Sequence, residues 1–64
     1  MDIDDLEAEI KLATEEAFAL ADALAVEIAN LRVGNRAYEL ARDYQEKRRY
    51  IRRLRRALKV EVGG

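Results

Sequence analysis

Seven bases fall within the ten positions Lys47-Arg48-Arg49-Tyr50-Ile51-Arg52-Arg53-Leu54-Arg55-Arg56. Guanidinium groups at that density suit phosphate or carboxylate oxygens, which they engage through paired N–H donors. On a helical wheel Arg42, Arg48, Arg49, Arg52, Arg53, Arg55 and Arg56 fill one flank, while Glu39, Asp43, Glu46 and Tyr50 occupy the other. A one-sided arginine flank can track a nucleic-acid backbone in a salt-dependent way, or meet an acidic partner. The chain also supplies acids of its own. Residues 1–31 carry nine acids and one Lys, whereas residues 32–64 carry eleven bases and four acids, so the halves hold −8 and +7 within a net charge of −1. The halves are expected to attract one another and to neutralise part of the flank, which makes nucleic acid the lesser reading.

The rest of the inventory offers little to catalysis. There is no His, Cys or Ser and a single Thr, at position 14, so the usual nucleophiles and general bases are missing. Acid pairs such as Asp5 with Glu9, or Glu15 with Glu16, could hold a hard cation, but no Glu-x-x-His spacing of the di-metal helical bundles occurs. No catalytic, cofactor or metal residue is assigned, and a non-enzymatic protein is expected. Lys47 is read as a side chain rising over Ala21 with Asp43 one turn back, able to fix register rather than to react. Tyr38, Tyr44 and Tyr50 are too scattered around a helix to stack bases; Tyr44 is assigned to the core and the others to its rim.

Two segments, Glu27-Ile28-Ala29-Asn30-Leu31-Arg32 and Arg48-Arg49-x-Ile51-x-Arg53-Leu54, together resemble the two-helix protein of the large ribosomal subunit that lies on ribosomal RNA. The resemblance spans about half the chain on unspecific motifs, and it implies an RNA-contacting hairpin. The sequence departs from that family at Arg52, where Ala is usual, and in its acidic first helix, where the family is basic.

The elements that must position these groups are helices. Pro is absent and Gly occurs only at 34, 63 and 64, so nothing interrupts a helix on either side of Gly34. The expected fold is all-α, a two-helix antiparallel hairpin with helix 1 over about 3–32 and helix 2 over about 36–59. Residues 1–59 then form one domain and 60–64 a frayed tail, because β-branched Val60 and Val62 and the final glycines disfavour helix. Asp2 or Asp4 can cap helix 1, the latter in a capping box with Glu7. Gly34 suits the left-handed position that ends a helix, and Asn35 the cap that begins the next.

Ile3, Leu6, Ile10, Ala13, Ala17, Leu20, Ala21, Leu24, Ile28 and Leu31 lie within an arc of about 100°, the width of a core-facing stripe. Ala37, Leu40, Tyr44, Ile51, Leu54 and Leu58 answer from helix 2, with Lys47 inside their arc. This is the pattern of an antiparallel coiled coil. A hairpin folded about Gly34 sets Ala17 opposite Ile51, Glu15 and Glu16 beside Arg52 and Arg53, and Glu9 beside Lys59.

One stretch exceeds what a hairpin needs. Ala17-Phe18-Ala19-Leu20-Ala21-Asp22-Ala23-Leu24-Ala25-Val26 is apolar nearly all round, and a helix apolar on every side is buried on every side. Helix 2 can cover one face only. Phe18, Ala21, Asp22, Ala25, Val26 and Ala29 are therefore assigned to a second face, for self-association or for a partner. With 64 residues and no Cys, a chain of this size leans on oligomerisation for stability.

The leading expectation is a protein-binding module that forms a homodimeric four-helix bundle. A small regulator docking the same face on a larger protein and a hairpin contacting RNA or DNA through its arginines are the alternatives. A de novo designed helical protein without a cellular role is a further one: the lack of Cys, His, Trp and Pro fits design, whereas nine Arg against three Lys fits a natural gene. No membrane span is expected, because Asp22 and Glu27 interrupt the longest apolar run. The acidic Met1-Asp2-Ile3-Asp4-Asp5 start is unlike a signal peptide and points to a cytoplasmic location.

Overall fold

Asp2 begins the structure as a helix cap. Its Oδ1 accepts the Asp5 N–H at 2.8 Å, and Asp4 and Asp5 place negative charge in the first turn, where the helix dipole favours it. The computed structural model describes residues 2–63, which form two helices, α1 (Ile3–Ala29) and α2 (Asn35–Gly63). Contacts from Glu9 to Tyr50, Glu16 to Lys47 and Glu27 to Arg36 run in opposite senses along the chain and define an antiparallel hairpin. The result is a rod of 48 × 14 × 14 Å with no strand among the described residues.

Helix 1 stops earlier than expected, at Ala29 rather than near residue 32. Asn30 is its cap, and the Leu31 and Arg32 N–H groups donate back to the carbonyls of Ile28 at 2.9 Å and Glu27 at 2.8 Å. This pair of bonds is a Schellman motif, which needs a left-handed residue between them. Leu31 supplies it, at φ 58°, in place of the expected Gly34. A side chain in that conformation costs about 1–2 kcal/mol, yet the bonds close three residues before the glycine. Gly34 has no positive φ; its carbonyl instead accepts the Tyr38 N–H at 3.1 Å. It therefore takes the N-cap position assigned to Asn35, which is the first residue of α2.

Two corrections follow from that closure. The link between helices is centred near Arg32, not Gly34, so facing residues shift by about four positions, roughly one helical turn. At the other end, Val60–Gly63 continue α2 instead of fraying. Extending an existing helix adds one hydrogen bond per residue fixed and avoids the nucleation cost, which offsets propensity penalties of a few tenths of a kcal/mol at Val60 and Val62 and about 1 kcal/mol at the terminal Gly63.

The buried residues are Leu6, Ala13 and Ala17 of α1 and Ala37, Leu40, Ile51 and Leu54 of α2. Leu6, Ala13, Ala17, Ile51 and Leu54 form one cluster, against which Ile10, Tyr44, Tyr50 and Leu58 pack. That cluster lies in the half of the rod away from the link. Towards the link the seam thins: Leu20, Ala21 and Leu24 are half-buried, while Ile28 at 52% and Leu31 at 89% exposure fall outside the core assigned to them. Leu31 leaves the stripe because it has left the helix. Ile3, the other expected seam end, is also exposed.

Ala13, with 1% exposure, is the most deeply buried member of the core. Ala13→Leu should overpack that layer and destabilise the fold by about 1–3 kcal/mol. Thermal melting followed by circular dichroism measures the loss, and an unchanged midpoint would show that the helices do not meet closely there.

Candidate functional site

The apolar surplus of α1 surrounds its second half. Phe18 stands 67% exposed on the rim of a groove that runs between the helices, floored by Ala17, Tyr44 and Ile51 and bordered by Thr14, Arg48, Arg52 and Arg55. Spacings of three and four residues carry that side of α1 onward from Phe18 through Ala21, Asp22 and Ala25 to Ala29. Of the six residues assigned to a second face, Phe18, Asp22, Ala25, Val26 and Ala29 are exposed and Ala21 is half-buried. Ile28, Leu31 and Val33 extend the exposed apolar surface to the link. These last three were not assigned to it from sequence, because Ile28 and Leu31 were placed in the seam and Val33 falls outside the expected helix 1.

The arginine flank divides in two. Arg48, Arg52 and Arg55 border the Phe18 groove. Arg49, Arg52, Arg53 and Arg56 line a shallow depression on the outer side of α2 with Glu46 as its one acid. Arg42 lies 3.8 Å from Asp43 on its own helix. Arg48 also sits over the Tyr44 ring at 5.8 Å, and Arg53 over Tyr50 at 5.9 Å.

The expected pairing of Glu15 and Glu16 with Arg52 and Arg53 does not form. Glu16 instead receives the Lys47 ammonium at 2.9 Å, and Glu9, expected beside Lys59, accepts the Tyr50 hydroxyl at 3.0 Å. The one-turn shift in register accounts for both changes. Glu27 lies 3.4 Å from Arg32 and 3.8 Å from Arg36, joining α1, the link and α2. Among the described residues, Arg48, Arg49, Arg52, Arg53, Arg55 and Arg56 have no carboxylate partner.

Lys47 therefore points toward Glu16 beside Leu20, Asp43 and Tyr50, not over Ala21 alone. The hydrogen bond to Glu16 raises its pKa above the ordinary lysine value, against a smaller opposing effect of desolvation. An exposed pair of this kind stabilises by about 0–1 kcal/mol, so its role is to select the register. The Tyr50 pKa is also raised, first by its hydrogen bond to the Glu9 carboxylate and then by desolvation.

Among the described residues, no three His, Cys, Asp or Glu side chains converge on a point that could hold a metal ion. No described helix is long and apolar enough to cross a membrane. Comparison with known protein families, with curated proteins and with solved structures gives no match. The two apolar and basic faces are thus the features that distinguish this surface.

A raised phenol pKa in the folded state means that the Tyr50–Glu9 contact contributes at pH values below the unfolded tyrosine value of about 10. The contribution disappears as pH climbs through the higher folded value. Tyrosinate absorbance should show one tyrosine ionising later than an ordinary phenol, and Glu9→Gln should move that midpoint down while Glu15→Gln leaves it in place. Identical titrations of the three proteins would mean that the contact is not kept in solution.

Proposed function

We propose that this chain is a non-enzymatic helical interaction module that pairs with a second copy of itself to complete an antiparallel four-helix bundle. The observation that carries the reading is the uncovered apolar surface on the second half of α1. Phe18, Val26 and Ile28 of α1, with Leu31 and Val33 of the link, are exposed large apolar side chains, and among the described residues no large side chain is fully buried. Phe18, Ala25 and Ala29 share one side of α1, and an exposed apolar patch of this kind marks interaction sites.

The dimensions suit a pair. A specific interface takes about 800 Å² from each partner, so a pair would use most of one 48 Å long face of the rod and not the surface from Phe18 to the link alone. The alanines at 21, 25 and 29 permit a close helix approach, and Phe18 is the large side chain available to fill space beside them. Leu31 fits the same account: a strained left-handed residue holding a large apolar side chain in water is the kind of local cost that persists where a partner contact offsets it. Charge favours the arrangement too, since α1 is acidic and the Phe18 groove is edged by Arg48, Arg52 and Arg55.

In a two-fold pair each substitution acts twice. Ala25→Glu would place two like charges against the partner, and dissociation costs less than burying them unpaired. The variant should sediment as a monomer with reduced helicity, while Glu39→Gln, on the far side of α2, should keep the parent mass. A parent that sediments as a monomer, or an Ala25→Glu protein that stays paired and equally stable, contradicts the reading. A monomeric parent would favour docking of the same face on a different protein.

A further inference from the structure

We infer that the outer face of α2 binds the phosphate backbone of a nucleic-acid duplex through Arg49, Arg52, Arg53 and Arg56, without reading its sequence. This inference is distinct from self-association, because Arg49, Arg53 and Arg56 take no part in the Phe18 groove, and Arg52 alone borders both surfaces. It begins from the unsatisfied charge. The acids of α1 expected beside Arg52 and Arg53 do not reach them: Glu16 is engaged by Lys47, and Glu15 forms no ion pair with either arginine. None of the four arginines has a carboxylate partner among the described residues, although they are gathered around one depression.

Their spacing fits a linear polyanion. Arg49, Arg53 and Arg56 recur at four and three residues, so they stand on one side of the helix, and the row from Arg49 to Arg56 covers two turns, about 10 Å. Arg42 lies two turns earlier in the same row, which brings the basic stripe to about 21 Å. A duplex presents one negative charge per about 1.7 Å of axis, so a straight row of this length meets several phosphates at once. Each planar guanidinium can then engage a phosphate through two N–H groups.

Other polyanionic surfaces fit less well. An amphipathic helix on an anionic membrane inserts apolar residues between its bases, and this depression is lined by arginines and Glu46 alone. An acidic peptide would be anchored by an aromatic or aliphatic side chain in a pocket, and the same lining offers it none.

The test is fluorescence anisotropy of the full chain with a labelled DNA duplex of about two turns, roughly 20 base pairs, over a salt series. Binding should weaken steeply as salt rises, as a straight line in logarithmic coordinates. The variant Arg49→Gln/Arg53→Gln/Arg56→Gln should lose affinity and flatten the slope by about 0.9 for each arginine that engages a phosphate. Glu46→Gln, which removes the one acid from the depression, should tighten binding several-fold. Both variants alter exposed positions and should keep the parent's helicity and sedimentation mass, so a loss of binding is separable from a loss of fold or of pairing. The inference is overturned if the parent does not bind, if the triple variant keeps the parent's slope, or if polyglutamate of equal charge competes as well as unlabelled duplex. The last result would assign the face to an acidic protein.

Discussion

Two helices packed side by side can each hide one stripe, and that geometric limit governs this molecule. Helix α2 has one stripe to hide, from Ala37 to Leu58, and hides most of it. Helix α1 has more apolar surface than one neighbour can cover. The surplus, from Phe18 to the link, is left facing water beside a small core to which α1 contributes Leu6, Ala13 and Ala17. Burial is the main source of stability, and a chain of this size has little to spare. The surface that is left over is consequently the weakness of the isolated rod, and under the proposed pairing it is where the second copy docks.

The closure of the hairpin decides which charges meet. Had the chain turned about Gly34, the acids of α1 would have lain along the arginine run. Closing at Leu31 through the bonds to Ile28 and Glu27 slides the helices by about one turn. Glu16 then reaches Lys47 and Glu9 reaches Tyr50. The arginines from Arg48 to Arg56 are left without carboxylates among the described residues. A single left-handed residue thus sets the register and, through it, the electrostatic character of the outer face.

The periodicity of apolar residues was enough to read two helices, their antiparallel arrangement and the burial of Leu6, Ala13, Ala17, Leu40, Ile51 and Leu54. Spacing reports directly on which face is apolar. The ends were harder to read. Gly34 carries the usual signal for a left-handed turn, but the Schellman bonds formed around Leu31, a residue with no such signal, and Ile28 and Leu31 went with it to the surface. Propensity also misjudged Val60–Gly63, where an existing helix propagates past residues that would not start one. Exposed Phe18, Ala25 and Ala29 followed from the excess width of the apolar arc. The unpaired arginines did not follow from sequence, because they depend on a register that is set one turn away from the glycine.

If the uncovered face of α1 is closed by a second copy, folding and association are linked, and the midpoint of unfolding must depend on protein concentration. Thermal unfolding followed by circular dichroism across a wide dilution series measures this directly. The account requires the midpoint to rise steadily with concentration, with helicity lost on dilution. A midpoint that stays constant across the series, with full helicity at the lowest concentration, would mean that the single hairpin is sufficient to itself and would contradict the account.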